Sequence, residues 1–186
     1  HVIQVLSDMP FITKDNTTVD GTTQPGWSIN NLKIVLDGTL WPSPGVVKGL
    51  LTIGAVDNCV IQGIVFQNAS KSRQDGILIT DDGTNGADNN AIYGCFIGTN
   101  IAGTAAAGNN RGIRINAFTN SASTNNIVGG PNPGQPNLIS GNVLGIELLK
   151  NAHDTIIQNN FIGTDITGTV AIPNVAAAIL VQGSLT

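Results

Sequence analysis

The sequence predicts an all-β fold, a parallel β-helix (β-solenoid) of about five to six rungs with three short strands each. The first observation is an internal repeat, in which residues 96–104 return 65 positions later as a close copy at 161–169. A fixed period of this kind is typical of stacked architectures. The second is a succession of short apolar runs bounded by Gly, Asn and Asp, and the third is the lack of a convincing 3.6-residue apolar period. These patterns favour strands over helices.

Three classes of strand follow one another along the chain. The classes are 49–53, 76–79, 112–115 and 145–148; then 58–61, 90–93, 126–128 and 155–157; then 65–66, 96–97, 138–139 and 161–162. In the first class, period-2 alternation directs Ile113 and Ile115 inward and Arg114 outward. The 65-residue period predicts that Ala178 and Leu180 continue the two inward columns.

The chain is predicted to form a single domain over residues 1–186. Residues 1–48 form a less regular, loop-rich segment, and residues 49–186 form the regular rungs. Each rung buries its inward side chains only against the rungs above and below it. The chain is therefore either a segment of a longer solenoid or a unit whose open ends stack on other subunits.

The turns between strands carry their own pattern. Asn137, Asn160 and Cys95 fall on one column, just before the third class of strand, and we expect the two asparagines to bond from rung to rung in left-handed conformations. Gly98 and Gly163 recur together, which predicts turn or bulge geometry at both.

Composition excludes two classes of partner. The formal net charge is -4, and Lys and Arg are not clustered, so no nucleic-acid partner is expected. The chain has no apolar run of 18 residues, so no membrane-spanning helix is expected. Cys59 and Cys95 are either two buried thiols or one disulfide. Aligning Gly63 with Gly94 places Ile64 on the column of Cys95, which favours free thiols.

Several phrases resemble a known family. They are residues 160–169, residues 126–130 followed by 137–142, and residues 19–26. These are similar to the right-handed parallel β-helix repeats, of the pectin-lyase-like family, found in large secreted or surface bacterial proteins. The resemblance implies a right-handed β-helix and an extracellular or cell-surface location. It implies little about activity, because one fold hosts many functions.

The acidic loop 80–88 is the strongest candidate for a binding site. Its side chains Asp81, Asp82, Asn85 and Asp88 are oxygen donors of the kind that Ca²⁺ prefers, so calcium is the one cofactor considered. The alternative is a solvated turn built from ordinary turn residues. Asp81 and Asp82 are adjacent and should point apart, whereas glycan hydrolysis needs two carboxyls at a set separation. No catalytic residue is therefore assigned.

Two further positions point to surface contacts. Arg114 and Glu147 are predicted to pair across rungs at the surface, where an ion pair contributes about 0–1 kcal/mol. Leu78 and Ile179 are placed on the same outward column, which indicates a surface covered by a loop, a partner or a ligand.

His153 and the tryptophans have ordinary structural interpretations. His153, beside Asp154, is expected in a turn. Trp27 and Trp41 lie in a Pro- and Gly-rich segment, where packing against the solenoid is favoured over stacking on sugar rings.

These observations predict a non-enzymatic extracellular β-solenoid, acting as a structural, adhesive or filament-forming element that associates with itself through its open ends. The alternative is a carbohydrate-binding or carbohydrate-active module, lyase-like or hydrolase-like, with a polysaccharide partner. The lack of a complete catalytic motif favours the structural role. The family resemblance and the acidic loop favour the carbohydrate module.

Overall fold

The computed structural model describes residues 1–117 and 121–183, and it shows a β-solenoid of about five turns. Each full turn contributes one strand to each of three parallel sheets, and the described residues contain no helix. The predicted fold class and the three strands per rung are confirmed. The strands are numbered β1 to β18 along the chain.

The strands of each sheet are given in chain order. Sheet 1 contains β1 (Val2–Gln4), β3 (Ile34–Asp37), β6 (Ile64–Gln67), β9 (Phe96–Ile97), β13 (Leu138–Ile139) and β17 (Phe161–Ile162). Sheet 2 contains β4 (Lys48–Gly54), β7 (Gln74–Thr80), β10 (Arg111–Asn116), β14 (Leu144–Leu148) and β18 (Ala177–Val181). Sheet 3 contains β2 (Thr18–Asp20), β5 (Val60–Gln62), β8 (Ala91–Tyr93), β12 (Ile127–Val128) and β16 (Ile156–Ile157). A two-stranded sheet joins β11 (Ser123–Thr124) to β15 (Ala152–His153).

The main core lies inside the coil, where aliphatic side chains stack in columns. One column of sheet 2 runs through Leu51, Ile77, Ile113 and Ile146, because these residues are partners in register. All four are buried in one apolar cluster, together with Ile61 and Ile92 from sheet 3. Each rung therefore depends on its neighbours for burial, as the repeat predicts.

The predicted register of the last strand is wrong by one residue. Ile179 pairs with Ile146 and Val181 with Leu148, so these two residues, and not Ala178 and Leu180, continue the inward columns. Asn174 still lies 65 residues after its equivalent, Asn109. One extra residue between Asn174 and β18 displaces the strand by one position. Leu180 therefore takes the outward position predicted for Ile179.

A second apolar cluster lies on the outer face of sheet 1. It contains Val35, Val65, Phe96 and Leu138, which are all essentially inaccessible to solvent. These residues form one column in register, so sheet 1 is apolar on both faces. Loops that fold back over the outer face exclude water from it.

The repeated phrase supplies two of those loops. Each is closed by an antiparallel bridge, Thr99 with Ala106 in one loop and Thr164 with Ala171 in the other. Gly98 and Gly163, at the start of the loops, have positive φ of 91° and 78°, which confirms the predicted turn geometry.

The two loops belong to rungs that are not neighbours. They follow β9 and β17, which lie on either side of β13, so the 65-residue period spans two rungs. The loops nevertheless touch, because the N–H of Ile166 donates to the carbonyl of Gly103 at 3.0 Å. Ile166 also packs against the outer cluster.

Asparagine side chains form three hydrogen-bonded ladders at the corners of the coil. The members are Asn90 and Asn126; Asn137 and Asn160; and Asn109, Asn142 and Asn174. In each ladder the side-chain amide oxygen of one asparagine accepts a hydrogen bond from the backbone N–H of the equivalent residue one rung earlier. The side-chain amide nitrogen donates a hydrogen bond to a backbone carbonyl. The ladder predicted for Asn137 and Asn160 is confirmed. The left-handed conformation predicted for Asn137 and Asn160 is wrong, since neither has a positive φ; the left-handed residue beside Asn160 is Asn159 (φ 60°).

The ladders begin at small side chains. The N–H of Cys59 donates to Asn90 at 2.8 Å, the N–H of Cys95 to Asn137 at 2.9 Å, and the N–H of Ala69 to Asn109 at 3.0 Å. Both cysteines are therefore the first members of ladder columns. Both are buried free thiols, in agreement with the prediction against a disulfide.

The N-terminal third also contributes strands to the stack. β2 and β3 fall in the stretch that the sequence describes as loop-rich, and they pair with β5 and β6. Trp41 is fully buried in the main core, and its indole N–H donates to Asp8 at 3.0 Å. Trp27 is half-buried beside Gly63. Packing, as predicted, accounts for both tryptophans.

Candidate functional site

The acidic loop 80–88 lies at the corner between sheets 2 and 3, and its four candidate residues make different contacts. Asp82 accepts from the backbone N–H groups of Thr84 and Asn85, at 2.8 and 2.7 Å. Those bonds, that of Asn85 first, hold the pKa of the exposed Asp82 below its usual value. The side chain of Asn85 also contacts Asp82, at 3.3 Å.

Asp81 and Asp88 are engaged elsewhere. The Asp81 carboxylate accepts from the hydroxyl of Ser121 at 2.5 Å. Asp88 accepts from the backbone N–H of Thr124 at 2.6 Å, one rung further on. The hydrogen bonds of the loop thus join Asp82 to Asn85 but direct Asp81 and Asp88 to other segments.

A column of carboxylates runs along this corner, parallel to the solenoid axis. Each carboxylate accepts a hydrogen bond from a backbone N–H one rung further on. The Asp15 carboxylate bonds to the N–H of Asp57, the Asp57 carboxylate to the N–H of Asp88, and the Asp88 carboxylate to the N–H of Thr124. The column lines an open groove of about 510 Å³, to which Asn85 also contributes. Each carboxylate therefore connects two rungs while the groove remains polar.

Calcium binding at this corner stays a prediction. In residues 1–117 and 121–183, no group of three or more Asp, Glu, His or Cys side chains is placed to hold a metal ion. A calcium ion bound by Asp82 and Asn85 would need its remaining oxygen ligands from backbone carbonyls and water.

The densest set of charges lies on the outer face of sheet 2. We call it the charge cluster, and it consists of Asp75 on β7, Arg111 and Arg114 on β10, and Glu147 on β14. The carboxylate of Glu147 accepts one hydrogen bond from the Nε–H of Arg111, at 2.5 Å, and another from the Nε–H of Arg114, at 2.8 Å. The predicted pair between Arg114 and Glu147 therefore exists. It is buried, however, with 5% and 3% of the two residues exposed, so its assignment to the surface is wrong.

Asp75 is the poorly compensated member of the charge cluster. It is fully buried, and within the described residues neither of its carboxylate oxygens accepts a hydrogen bond. Its closest cations are Arg114 at 3.5 Å and Arg111 at 3.8 Å, longer than the distances from the same arginines to Glu147. Burial, only partly offset by Arg114 and Arg111, raises the pKa of Asp75 to about 7.

Sequence reasoning missed Asp75 and Arg111. Both immediately precede the glycine of a first-class strand, at Gly76 and Gly112, and they are partners in register. That equivalent placement was the available signal. It was obscured because strict alternation assigns Asp75 and Arg111 to the inward side of Ile77 and Ile113, whereas their side chains lie with Arg114 and Glu147 on the outer face. Leu78, on the same face, is likewise buried, and it lines a groove with Phe11 and Val46.

The remaining candidates have structural roles. His153 lies in β15 rather than in a turn, since residues 152–153 pair with β11. It is exposed, and its Nδ1 is 2.8 Å from the Asp154 carboxylate. Burial raises the pKa of the Cys95 thiol to about 12, which makes this group a poor nucleophile.

Comparison of the chain with models of protein families, with curated proteins and with solved structures found no match. In the described part of the chain, no helix has the length and apolar character needed to cross a bilayer. The class defined by the fold is thus the β-solenoid repeat proteins.

Proposed function

We propose that this chain is a non-enzymatic structural or adhesive element of the extracellular space or the bacterial cell surface. The observation that supports this role best is the use of buried polar side chains. The side chains of Asn126, Asn137 and Asn142 all form hydrogen bonds to a neighbouring rung, which ties the rungs together. The resemblance to pectin-lyase-like repeats of secreted proteins supports the location.

The proposal includes association of the chain with itself, end to end. At one end of the stack β1 and β2, and at the other β16, β17 and β18, each have a strand neighbour on one side only. Unpaired strand edges are templates for further strands. Val2, Ile156 and Ile179, all in these edge strands, are 61%, 50% and 42% exposed.

Light scattering and electron microscopy of the purified chain test the association. We expect species heavier than 19.2 kDa, and filaments that rise by about 25 Å per chain, since rungs stack at about 4.8 Å. The variant Ile156→Lys with Ile179→Lys should dissociate them. Val46→Lys, at an exposed position on the side of the rod, is the matched control. A monomer at every concentration would contradict self-association.

The second candidate function is binding, or turnover, of a polysaccharide in the polar groove. The observation that favours it is the carboxylate column of Asp15, Asp57 and Asp88, whose spacing repeats once per rung. We would measure binding of neutral and anionic oligosaccharides by calorimetry, with and without Ca²⁺. Asp57→Asn should weaken binding and Asp154→Asn, outside the groove, should not. Loss of turnover in Asp82→Ala, with the fold intact, would identify an enzyme.

A further inference from the structure

The charge cluster has an imbalance that follows from its geometry. Two arginines share one carboxylate, that of Glu147, at 2.5 and 2.8 Å. Asp75 lies beyond hydrogen-bonding distance of both guanidinium groups, at 3.5 and 3.8 Å. A buried carboxylate that lacks hydrogen bonds is destabilised relative to its neutral acid.

The other charged groups near β7 cannot compensate Asp75, because they are engaged elsewhere. Lys48, on the adjacent strand β4, bonds to Asp8 at 2.8 Å. In the segment that precedes β7, Lys71 donates to the carbonyl of Trp41 and Arg73 to that of Gly45. From the strands packed against β7, the charges that face Asp75 are therefore Arg111, Arg114 and Glu147.

We propose that Asp75 is a proton-linked switch of solenoid stability, at which a proton taken up from solution strengthens sheet 2 and its release weakens the sheet. In the neutral form, Asp75 no longer competes with Glu147 for the two arginines. In the ionised form, a second buried negative charge faces Glu147, and it has no hydrogen bonds to offset its lost hydration. The switch lies in an interior strand of sheet 2, because β7 pairs with β4 on one side and β10 on the other.

The sign of the pH dependence follows from proton linkage. The folded chain holds the Asp75 proton up to about pH 7, whereas an unfolded chain releases it near 3.8. The stabilisation is therefore complete below the unfolded value and is lost as the pH rises through the folded one. Between about pH 5 and about pH 8.5, the ratio of folded to unfolded chains should fall roughly a hundredfold from this group.

Urea unfolding at these two pH values tests the proposal on three forms of the chain. The native chain should be less stable at the higher pH. Asp75→Asn, which resembles the protonated acid, should remove most of that difference. Asp82→Asn is the matched control, since Asp82 is exposed and its lowered pKa keeps it ionised across the range. An equal pH effect in the native chain and in Asp75→Asn would overturn the proposal.

A direct titration keeps the test decisive if a variant fails to fold. The carboxyl carbon of Asp75, followed by NMR in the native chain, should titrate with a midpoint close to 7. A midpoint below about 5 would overturn the proposal. Glu147→Gln should lower the midpoint, because it removes the facing negative charge and frees both arginines for Asp75. A purely structural role of Asp75 would not predict that shift.

Discussion

The asparagine ladders and the charge cluster bury polar side chains in opposite ways. Asn142, in the third ladder, accepts two hydrogen bonds from Asn109 and donates to the carbonyl of Ile97 at 2.9 Å. Asp75, equally buried, has charge neighbours but no hydrogen bond within the described residues. The ladders use neutral amides, which carry both a donor and an acceptor, and thereby satisfy the backbone of two rungs at once. The comparison indicates that a solenoid corner accepts an amide more readily than its outer sheet face accepts a carboxylate.

The largest effect is expected from breaking a ladder in its middle. Asn142→Ala would leave the N–H of Asn109 buried without a partner, which costs about 1–3 kcal/mol. It would also remove the side-chain bonds to Asn109, Asn174 and the carbonyl of Ile97, which within the described residues keeps only its bond from the N–H of Ser140. We expect the free energy of unfolding to fall by about 3–5 kcal/mol in urea titrations. Asn132→Ala, in an exposed loop, is the control. A loss no greater than that of the control would mean that water replaces the ladder, and the contrast with Asp75 would disappear.

A smaller effect is expected from removing one arginine of the charge cluster. Arg114→Ala leaves Arg111 as the only cation at Glu147 among the described residues. We therefore expect the free energy of unfolding to fall by about 2–3 kcal/mol, less than when a buried charge loses its only ionic partner. The loss should be greater at alkaline than at mildly acidic pH, because Asp75 is then ionised and Arg114 makes the strongest favourable charge interaction with it. Chemical unfolding at both pH values measures this, with the exposed Arg73→Ala as control. A pH-independent loss would show that Asp75 does not sense Arg114.

The smallest effect is expected from extending a ladder by one member. In Cys95→Asn, the new amide nitrogen can donate to the carbonyl of Ile61, which the Cys95 sulfur now faces at 3.9 Å. The free energy of unfolding should change by no more than about 1 kcal/mol. Cys95→Leu, which buries a larger apolar group without any hydrogen bond, should lose more through overpacking. If both variants lose equally, the ladder column does not favour asparagine at its first position.

The strands could be predicted because Ile77, Ile113 and Ile146 each follow a glycine in the same short pattern, although they are 36 and 33 residues apart. Ile77, Ile113 and Ile146 could be aligned by eye, and the structure places them in one column. The register failed at β18, where a single inserted residue before Ala177 is invisible to a period taken from the loops. The cluster at Asp75 was not predicted, because alternation from Ile77 assigns Asp75 to the inward face, whereas its carboxylate lies beside Arg114 on the outer face.

The contact between the two copies of the repeated phrase affects how the rod comes apart. Ile166 bonds to Gly103 across the rung of β13, so the rung at β17 cannot peel away without also exposing Leu138 beneath the loops. A simple stack loses one coil at a time, since each coil senses only its nearest neighbours. Here the fraying step is two coils long. Hydrogen exchange should therefore show the amides of Ser140 and Gly163, which bond to the rung before each, opening together as one cooperative unit.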